Sequence, residues 1–162
     1  METWSWKWGE DGDVPAVTQL VRSAYKELAD RGLNYTATYQ EEDVTRSRMN
    51  EGKTLLLLRN DEIVGTITAR DENAVSKKKC AYLGQFGIKP ELKRLGLGTK
   101  MMNMIEFWAQ ESGYECLQLD TAKPAAHLVD WYLSRGYEIV GETKFEGKTY
   151  ESWIFEKPLP KK

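Results

Sequence analysis

The amino-acid sequence predicts a mixed α/β fold built as a single domain over residues 1–162. Three observations support this prediction. A chain of 162 residues with 41% hydrophobic and 30% charged residues has the size and composition of one globular domain with its own core. Segments with the two-residue period of strands alternate with segments of helical period. No linker rich in proline and serine divides the chain, so we expect all segments to share one core.

The first half of the chain is predicted to contain strands, two helices and a hairpin. Tryptophans alternate with polar residues over residues 4–8, which is the pattern of a half-buried strand. Asp13 is the predicted N-cap of a long helix, and Gly32 ends it. After a polar, aromatic connection come a short helix at about 41–50 and a hairpin of strands at 53–59 and 63–70.

The second half alternates strands with helices and closes on a hairpin. One helix at 98–112 has a continuous apolar stripe, and the next, at 124–135, has Pro124 in its first turn and Gly136 after its end. The predicted strands lie at 80–88, 115–121, 137–145 and 149–157. The sequence thus predicts about seven strands and about four helices, followed by a flexible C-terminal tail at 158–162.

Charge and cysteine content exclude several classes of function. A formal net charge of −2 predicts no general surface for nucleic acid or for an anionic membrane. No apolar run approaches the roughly 20 residues of a membrane span, and the N-terminus lacks the apolar core of a signal peptide. Cys80 and Cys116 lie in apolar strand segments, so we expect buried free thiols in a reducing cytoplasm. With one histidine and two cysteines, we expect no metal site.

A basic glycine loop connects a predicted strand to the apolar-striped helix that follows it. It contains the cations Lys93 and Arg94 and the glycines Gly96 and Gly98. Without Cβ atoms the backbone can approach an anion closely, the first N–H groups of a helix have no intrahelical partner, and the helix dipole favours negative charge. The loop therefore predicts a phosphate-binding site. The alternative is that its glycines only allow a tight turn between the strand and the helix.

Two nucleotide-binding motifs fail at specific positions. A dinucleotide fingerprint needs a third glycine where this chain has Met101. A Walker A loop needs a further glycine upstream of Gly-Lys-Thr. The chain contains that triplet twice, but Ser47 and Glu142 occupy the required upstream positions. We interpret both triplets as turns that lead into strands.

The loop Lys93-x-x-Gly96-x-Gly98 resembles the acyl-CoA pyrophosphate loop of the GCN5-related N-acetyltransferase (GNAT) superfamily, usually written Gln/Arg-x-x-Gly-x-Gly/Ala. Lys93 departs from that pattern, since it donates without the planar fork of arginine. The preceding Ile88-Lys89-Pro90 resembles the family's Val/Ile-x-Pro, and Tyr132 to Tyr137 resembles its Tyr-x-x-x-Gly-Phe. The segment 80–145 matches in order and spacing, and 1–79 matches only in arrangement, so the chain is identified as a member of this superfamily.

The resemblance implies a central mixed, mostly antiparallel sheet and an N-acetyltransferase activity. Such an enzyme transfers an acetyl group from acetyl-CoA to a primary amine, on a small molecule or a protein, by direct attack. Backbone N–H groups of the loop would bind the pyrophosphate, and the main chain of the preceding strand would bind pantetheine. The implied acetyl-CoA residues are Phe86, Gly87, Ile88, Lys93, Arg94, Leu95, Gly96, Leu97, Gly98 and Thr99. A homodimer is common in the family.

The same resemblance makes Tyr132 the candidate general acid. A phenol with a pKa near 10 stays protonated at neutral pH and can protonate a thiolate whose conjugate acid has a pKa near 8.5. Without the family motif around it, Tyr132 would be interpreted as an aromatic residue of the core. Asp120 is the nearest candidate base, or else a turn or helix cap, and His127 is a candidate proton relay, or else an exposed helix residue. Ala125 stands where many relatives carry asparagine.

The predicted acceptor site is less well defined. Gly84 leaves room for the acceptor beside Gln85, and the aromatics Tyr35, Tyr39 and Tyr150 could face an ammonium by cation–π attraction or pack at the rim. The sequence does not choose among amine acceptors. A non-catalytic acyl-CoA-binding sensor or interaction module is the alternative function, supported by Ala125 and by the lack of a carboxylate on the strand before the loop.

Overall fold

The computed structural model describes residues 1–161 and contains a seven-stranded sheet in the order β1-β2-β3-β4-β5-β7-β6. Neighbouring strands are antiparallel except β4 and β5, which are parallel. The mixed, mostly antiparallel α/β fold is therefore confirmed. The strands are β1 Trp4–Trp8, β2 Gly52–Arg59, β3 Glu62–Asp71, β4 Cys80–Ile88, β5 Cys116–Ala122, β6 Glu138–Thr143 and β7 Ser152–Pro158.

Within the described residues there are five α-helices rather than about four. They are α1 Val14–Ala24, α2 Lys26–Asp30, α3 Glu42–Asn50, α4 Leu97–Glu111 and α5 Ala126–Ser134. The single helix predicted after Asp13 is divided at Tyr25, whose backbone at φ −99° and ψ 2° leaves the α-helical region. The apolar pattern continues across this break to Leu28, so periodicity alone does not detect it. None of these described helices is long and apolar enough to cross a membrane.

Helices cover both faces of the sheet. Leu55 and Leu57 of β2 belong to the main core cluster with Met101 of α4. Leu56, between them, belongs to a second cluster with Val17 of α1. A strand whose two faces are both covered is apolar throughout rather than alternating, which explains the uninterrupted leucines of β2.

The central strands β4 and β5 separate after a short paired region. Their parallel pairing runs only from Cys80↔Cys116 to Tyr82↔Gln118. Beyond Tyr82, β4 keeps its partner β3 and β5 keeps its partner β7. In this stretch Gln85 has a φ of +48° and the β3–β4 register shifts, as at a β-bulge. The result is a gap in the middle of the sheet, next to the glycine loop.

The prediction of free cysteine thiols is wrong for this structure. Cys80 and Cys116 form a disulfide, with their Cα atoms 4.6 Å apart. The reason is the register of the two parallel strands, which places these residues directly opposite each other at a separation that a disulfide spans. The two cysteines therefore do not indicate a reducing cytoplasm, and that location stays a prediction.

The predicted flexible tail at 158–162 begins with residues that are held by the sheet. Pro158 is the last residue of β7, and the N–H of Leu159 donates to the carbonyl of Glu115 at 2.9 Å. Leu159 also packs against the main core. Lys162 lies outside the described residues.

A half-buried ionic cluster holds α5 against α4. The carboxylate of Glu106 accepts hydrogen bonds from Arg135 at 3.1 Å, from Lys157 at 3.2 Å and from the Tyr137 hydroxyl at 2.9 Å. Only 12% of the Arg135 side chain and 13% of the Glu106 side chain are exposed. Arg135 also donates to Asn103 at 2.7 Å. The cluster fixes the end of the helix that carries the candidate acid.

Glu106→Gln should lower the free energy of unfolding by roughly 3 kcal/mol, because removing one charge of a buried pair leaves the other uncompensated. Urea denaturation of wild type and variant measures this difference. Asp30→Asn is the matched control, since its exposed pair with Lys26 should contribute less than about 1 kcal/mol. Equal effects of the two substitutions would contradict a structural role for the cluster.

Candidate active site

A cavity of about 950 Å³ occupies the gap between β4 and β5. Its wall includes the glycine loop at one end, the second half of β4 and helix α5 in the middle, and the connections around Tyr35 and Tyr150 at the other end. The catalytic candidates Tyr132, Asp120 and His127 all line it. One cavity therefore brings together the predicted cofactor, catalytic and acceptor residues.

The glycine loop has the conformation of an anion-binding turn at a helix start. Arg94 and Gly96 have φ values of +71° and +77°, and α4 begins directly after Gly96. A Cβ added to Gly96 would meet no atom within 4 Å, so the space beside the loop is open. The first N–H groups of α4 lack intrahelical partners and carry the positive end of the helix dipole. This backbone fits a phosphate group.

The side chains of the loop have different surroundings. Lys93 donates to the carbonyl of Ala24 at 2.9 Å, which ties the loop to the C-terminal end of α1. Arg94 is exposed and lines the cavity, and Gly98 and Thr99 line it beside the helix start. Leu97 belongs to the buried core and also lines the cavity. Leu95 is 61% exposed and lies outside the cavity wall.

The second half of β4 forms one side of the cavity through Phe86, Gly87 and Ile88. The Phe86 ring stacks on Trp131 of α5 with centroids 6.0 Å apart. Ile88 is buried in the core, and a Cβ on Gly87 would lie 2.9 Å from the Cβ of Ala24, so Gly87 permits close packing of α1. With the β5 side of this segment unpaired, its main chain is accessible for hydrogen bonding from the cavity.

Tyr132 is buried in α5 at the cavity wall, where its ring packs on Trp131, Tyr137 and Phe155. Within residues 1–161, no side chain or backbone group is hydrogen-bonded to its hydroxyl. Burial, followed by the nearby Tyr25, raises the pKa of Tyr132 well above that of a free phenol. The hydroxyl is therefore protonated at neutral pH and available as a donor.

Asp120 lies in β5, not at a turn or a helix cap. Its carboxylate accepts a hydrogen bond from the hydroxyl of Tyr82 across the start of the gap. Burial raises the pKa of Asp120, while the Tyr82 hydrogen bond and the charges of Arg48 and Arg70 oppose that rise. A half-buried carboxylate with a raised pKa, facing a cavity, has the character of a general base.

The remaining predicted residues divide into those fixed by the fold and those at the rim. The Tyr35 hydroxyl is 2.7 Å from the Thr121 hydroxyl and accepts from the Ala122 N–H at 2.9 Å, so it is held in place. Its ring lies 5.0 Å from that of Tyr150, which is buried. His127 is exposed on α5 at the cavity rim.

Tyr39 is also exposed, and its hydroxyl accepts from Lys148 at 2.8 Å. Gly84 faces open space, since an added Cβ would meet nothing within 4 Å. Gln85 is buried, and both ends of its side-chain amide are hydrogen-bonded inside the protein. We therefore regard Gln85 as part of the scaffold beside the acceptor space.

Several cavity residues have no clear sequence signal. Tyr25, Arg48, Tyr82 and Trp131 all line the cavity. Tyr25 fits the apolar stripe of its helix, and Arg48 is one charge among many in a polar helix. Tyr82 lies two residues before Gly84, so both residues are on the same face of β4. This spacing is the one sequence pattern that could have indicated Tyr82. The others depend on contacts between distant segments.

Among residues 1–161, one group of metal-ligating residue types clusters together, namely Cys80, Cys116 and Glu156. The sulfur atoms of this group are joined in the disulfide. Since metal ligation requires the thiolate form, the paired form is not a metal site. The absence of a functional metal stays a prediction.

Comparison with known proteins places this site in a family. The model of the "Acetyltransferase (GNAT) family" matches residues 15–137. S-alkylcysteine N-acetyltransferase of Bacillus subtilis (strain 168) is 25% identical over 140 residues, which cover 83% of this chain and 79% of the relative. N-alpha-acetyltransferase 50 of Danio rerio is 30% identical over 86 residues, 52% of this chain and 50% of the relative.

Solved structures have the same fold. Ribosomal-protein-S18-alanine N-acetyltransferase from Escherichia coli superposes with a TM-score of 0.77 at 17% identity, covering 100% of this chain and 96% of that one. A GNAT family acetyltransferase from Elizabethkingia anophelis, solved with acetyl-CoA bound, has a TM-score of 0.63 at 14% identity over 74% of this chain and 84% of that one. Since the family model spans most of the chain, including the glycine loop and Tyr132, this protein is an acyltransferase that belongs to the acetyltransferase (GNAT) family.

Proposed function

We propose that this protein transfers the acetyl group of acetyl-CoA to a primary amine, and that Tyr132 and Asp120 handle the protons. The observation that carries the proposal is the single cavity that joins the glycine loop to an unpartnered buried phenol and a carboxylate with a raised pKa. An acyl-CoA structure among the fold relatives supports the donor. Relatives are named for an S-alkylcysteine and for the alanine of a ribosomal protein, so we propose a primary amine as acceptor, small or protein-borne.

Acetyl-CoA supplies the acetyl group and the thiolate leaving group. The loop backbone from Arg94 to Thr99 would hold its pyrophosphate, with Arg94 adding positive charge. The main chain of Phe86 and Ile88, which is unpaired on its β5 side, would bind the pantetheine arm as a strand edge does. The open space beside Gly96 fits this assignment, because the backbone there can approach a phosphate.

The proton roles follow from the two pKa shifts. The carboxylate of Asp120 takes a proton from the ammonium group of the acceptor, and the amine nitrogen then forms a bond to the acetyl carbon. The carbon–sulfur bond breaks, and the Tyr132 hydroxyl gives its proton to the sulfur. The second proton of the acylated nitrogen passes to the phenolate left on Tyr132, which restores the hydroxyl. The products are an acetamide and the free thiol of CoA. His127, at the rim, would return protons between this site and solvent.

Release of CoA thiol tests the proposal directly. The protein is incubated with acetyl-CoA and a panel of primary amines that includes amino acids, polyamines and short peptides, and free thiol is measured with a chromogenic disulfide. We expect amine-dependent thiol release and an acetylated product of matching mass. Acetyl-CoA binding without turnover of any amine would favour the sensor function instead.

A further inference from the structure

On the acceptor side of the cavity, Arg48 forms no ion pair with any carboxylate of residues 1–161. It lies on α3, lines the cavity, and donates from Nη1 to the side-chain oxygen of Gln40 at 3.2 Å. Among the ion pairs within residues 1–161, none includes Arg48. The neighbouring Arg70 is already paired with Glu51 at 3.3 Å and Glu72 at 2.9 Å. Lys148 also lines the cavity without an ion pair among residues 1–161, but its ammonium group already donates to three oxygens. Arg48, with one side-chain hydrogen bond, has donors left for a ligand.

A buried chain of uncharged hydrogen bonds holds Arg48 in position. The Gln40 amide donates to Thr45 at 2.8 Å and to Gln85 at 2.6 Å, and the Gln85 amide donates to Thr68 at 2.9 Å. All four of these residues are buried. This chain orients the Gln40 oxygen toward the guanidinium without supplying a negative charge. A cation that is ordered before its ligand arrives loses less entropy on binding.

The electrostatic surroundings of Arg48 favour an added anion. Burial lowers the pKa of Arg48, and the charge of Arg70 lowers it further, while Asp120, Tyr25 and Glu51 act in the opposite direction. A carboxylate bound by the guanidinium fork would offset both unfavourable effects through charge-assisted hydrogen bonds. Asp120 and Arg48 line the same cavity, so an acceptor that carries an ammonium and a carboxylate would have an opposite charge available for each of them.

The acceptor end of the cavity is bridged by hydrogen bonds between two loops. Lys148 donates to the Asn34 carbonyl at 3.1 Å, to the Thr36 hydroxyl at 2.8 Å and to the Tyr39 hydroxyl at 2.8 Å. The N–H of Thr149 donates to the Asn34 side chain at 2.8 Å. Lys148, Thr36 and Tyr39 are part of the cavity wall. A polypeptide passing between these loops would have to break the bridge, whereas a small molecule would not.

We infer that the acceptor is a free amino acid, whose carboxylate is bound by Arg48 while its amine is acetylated beside Asp120. The inference rests on the proposed acetyl transfer and specifies its substrate class. It makes Arg48 a specificity-determining residue that acts through binding and takes no part in moving protons.

Matched acceptors test this inference. Phenylalanine, phenylalaninamide and 2-phenylethylamine share one side chain and differ in the carboxylate, as do the same three forms of methionine. We expect kcat/KM for the free amino acid to exceed that of its amide and its decarboxylated form by about ten- to a hundredfold, the effect of a charge-assisted hydrogen bond. Arg48→Gln should remove most of this preference by raising KM for the amino acid, and Arg48→Lys should keep part of it.

Arg46→Gln is the matched control, because Arg46 lies on the same helix, pairs with Asp11 and is outside the cavity wall. It should keep the wild-type preference. Equal rates for amino acid, amide and amine, or an unchanged preference in Arg48→Gln, would overturn this inference while acetyl transfer stands. Faster turnover of the dipeptide alanyl-aspartamide than of free amino acids would also overturn this inference, because the acceptor would then be an acidic peptide. No turnover of any amine would overturn the proposed function itself.

Discussion

Tyr132→Phe should lower kcat by about a hundredfold or more and leave the affinity for acetyl-CoA unchanged. A positioned general acid typically contributes between about a hundredfold and ten-thousandfold to rate. The substitution keeps the ring that packs on Trp131 and Phe155 and removes only the hydroxyl. Since that hydroxyl has no hydrogen-bonding partner among residues 1–161, its loss should change the melting temperature little. Thiol-release kinetics, CoA binding by calorimetry and thermal unfolding measure the three quantities.

Tyr114→Phe provides the control for loss of a phenol elsewhere. Tyr114 packs against Trp108 and Lys79, lies outside the cavity wall and should keep full activity when its hydroxyl is removed. A fall in kcat of less than about threefold for Tyr132→Phe would show that another group protonates the sulfur. A fall that accompanies loss of CoA binding would instead make Tyr132 a binding residue.

Most of the fold could be predicted because local patterns determine it. The alternation in β1 and the apolar stripe of α4 are periodic patterns of neighbouring residues, and the glycine after α5 has the positive φ that ends a helix. The motifs from β4 to α5 also predicted the sheet topology. They did so through the family resemblance, because periodicity alone does not say which strands are neighbours. The glycine loop and Tyr132 were identified in the same way.

The errors arose where distant segments meet. The pairing of Cys80 with Cys116 depends on the register of two strands whose cysteines are 36 residues apart. The break at Tyr25 lies inside an unbroken apolar pattern. Arg48 is hydrogen-bonded to Gln40, which is bonded in turn to Gln85, 37 positions beyond Arg48 in the chain. Strand register and cross-segment hydrogen bonds leave no periodic signal in the sequence.

Asp120→Asn should lower kcat/KM by about a hundredfold and remove the dependence of the rate on ionisation of this carboxyl. The wild-type enzyme should gain activity as pH rises through the pKa of Asp120, which burial holds above that of a free aspartate. Asparagine still accepts the hydrogen bond from Tyr82, so the cavity should keep its shape. A pH profile of kcat/KM measures the change, with Asp71→Asn, an exposed residue at the end of β3, as the control.

The same substitution should stabilise the folded protein at neutral pH. Because the pKa of Asp120 is raised on folding, the folded state binds the proton more tightly than the unfolded state, and stability is lost as pH rises through the folded pKa. Asparagine does not ionise and escapes this loss. The variant should therefore melt at a higher temperature than wild type at pH 7 and at the same temperature near pH 3, below the unfolded pKa of about 3.9. A higher melting temperature at pH 7 together with a loss of activity would mark Asp120 as a charge kept for catalysis at the expense of stability. A lower melting temperature at pH 7 would mean that the hydrogen bond between Asp120 and Tyr82 stabilises the fold.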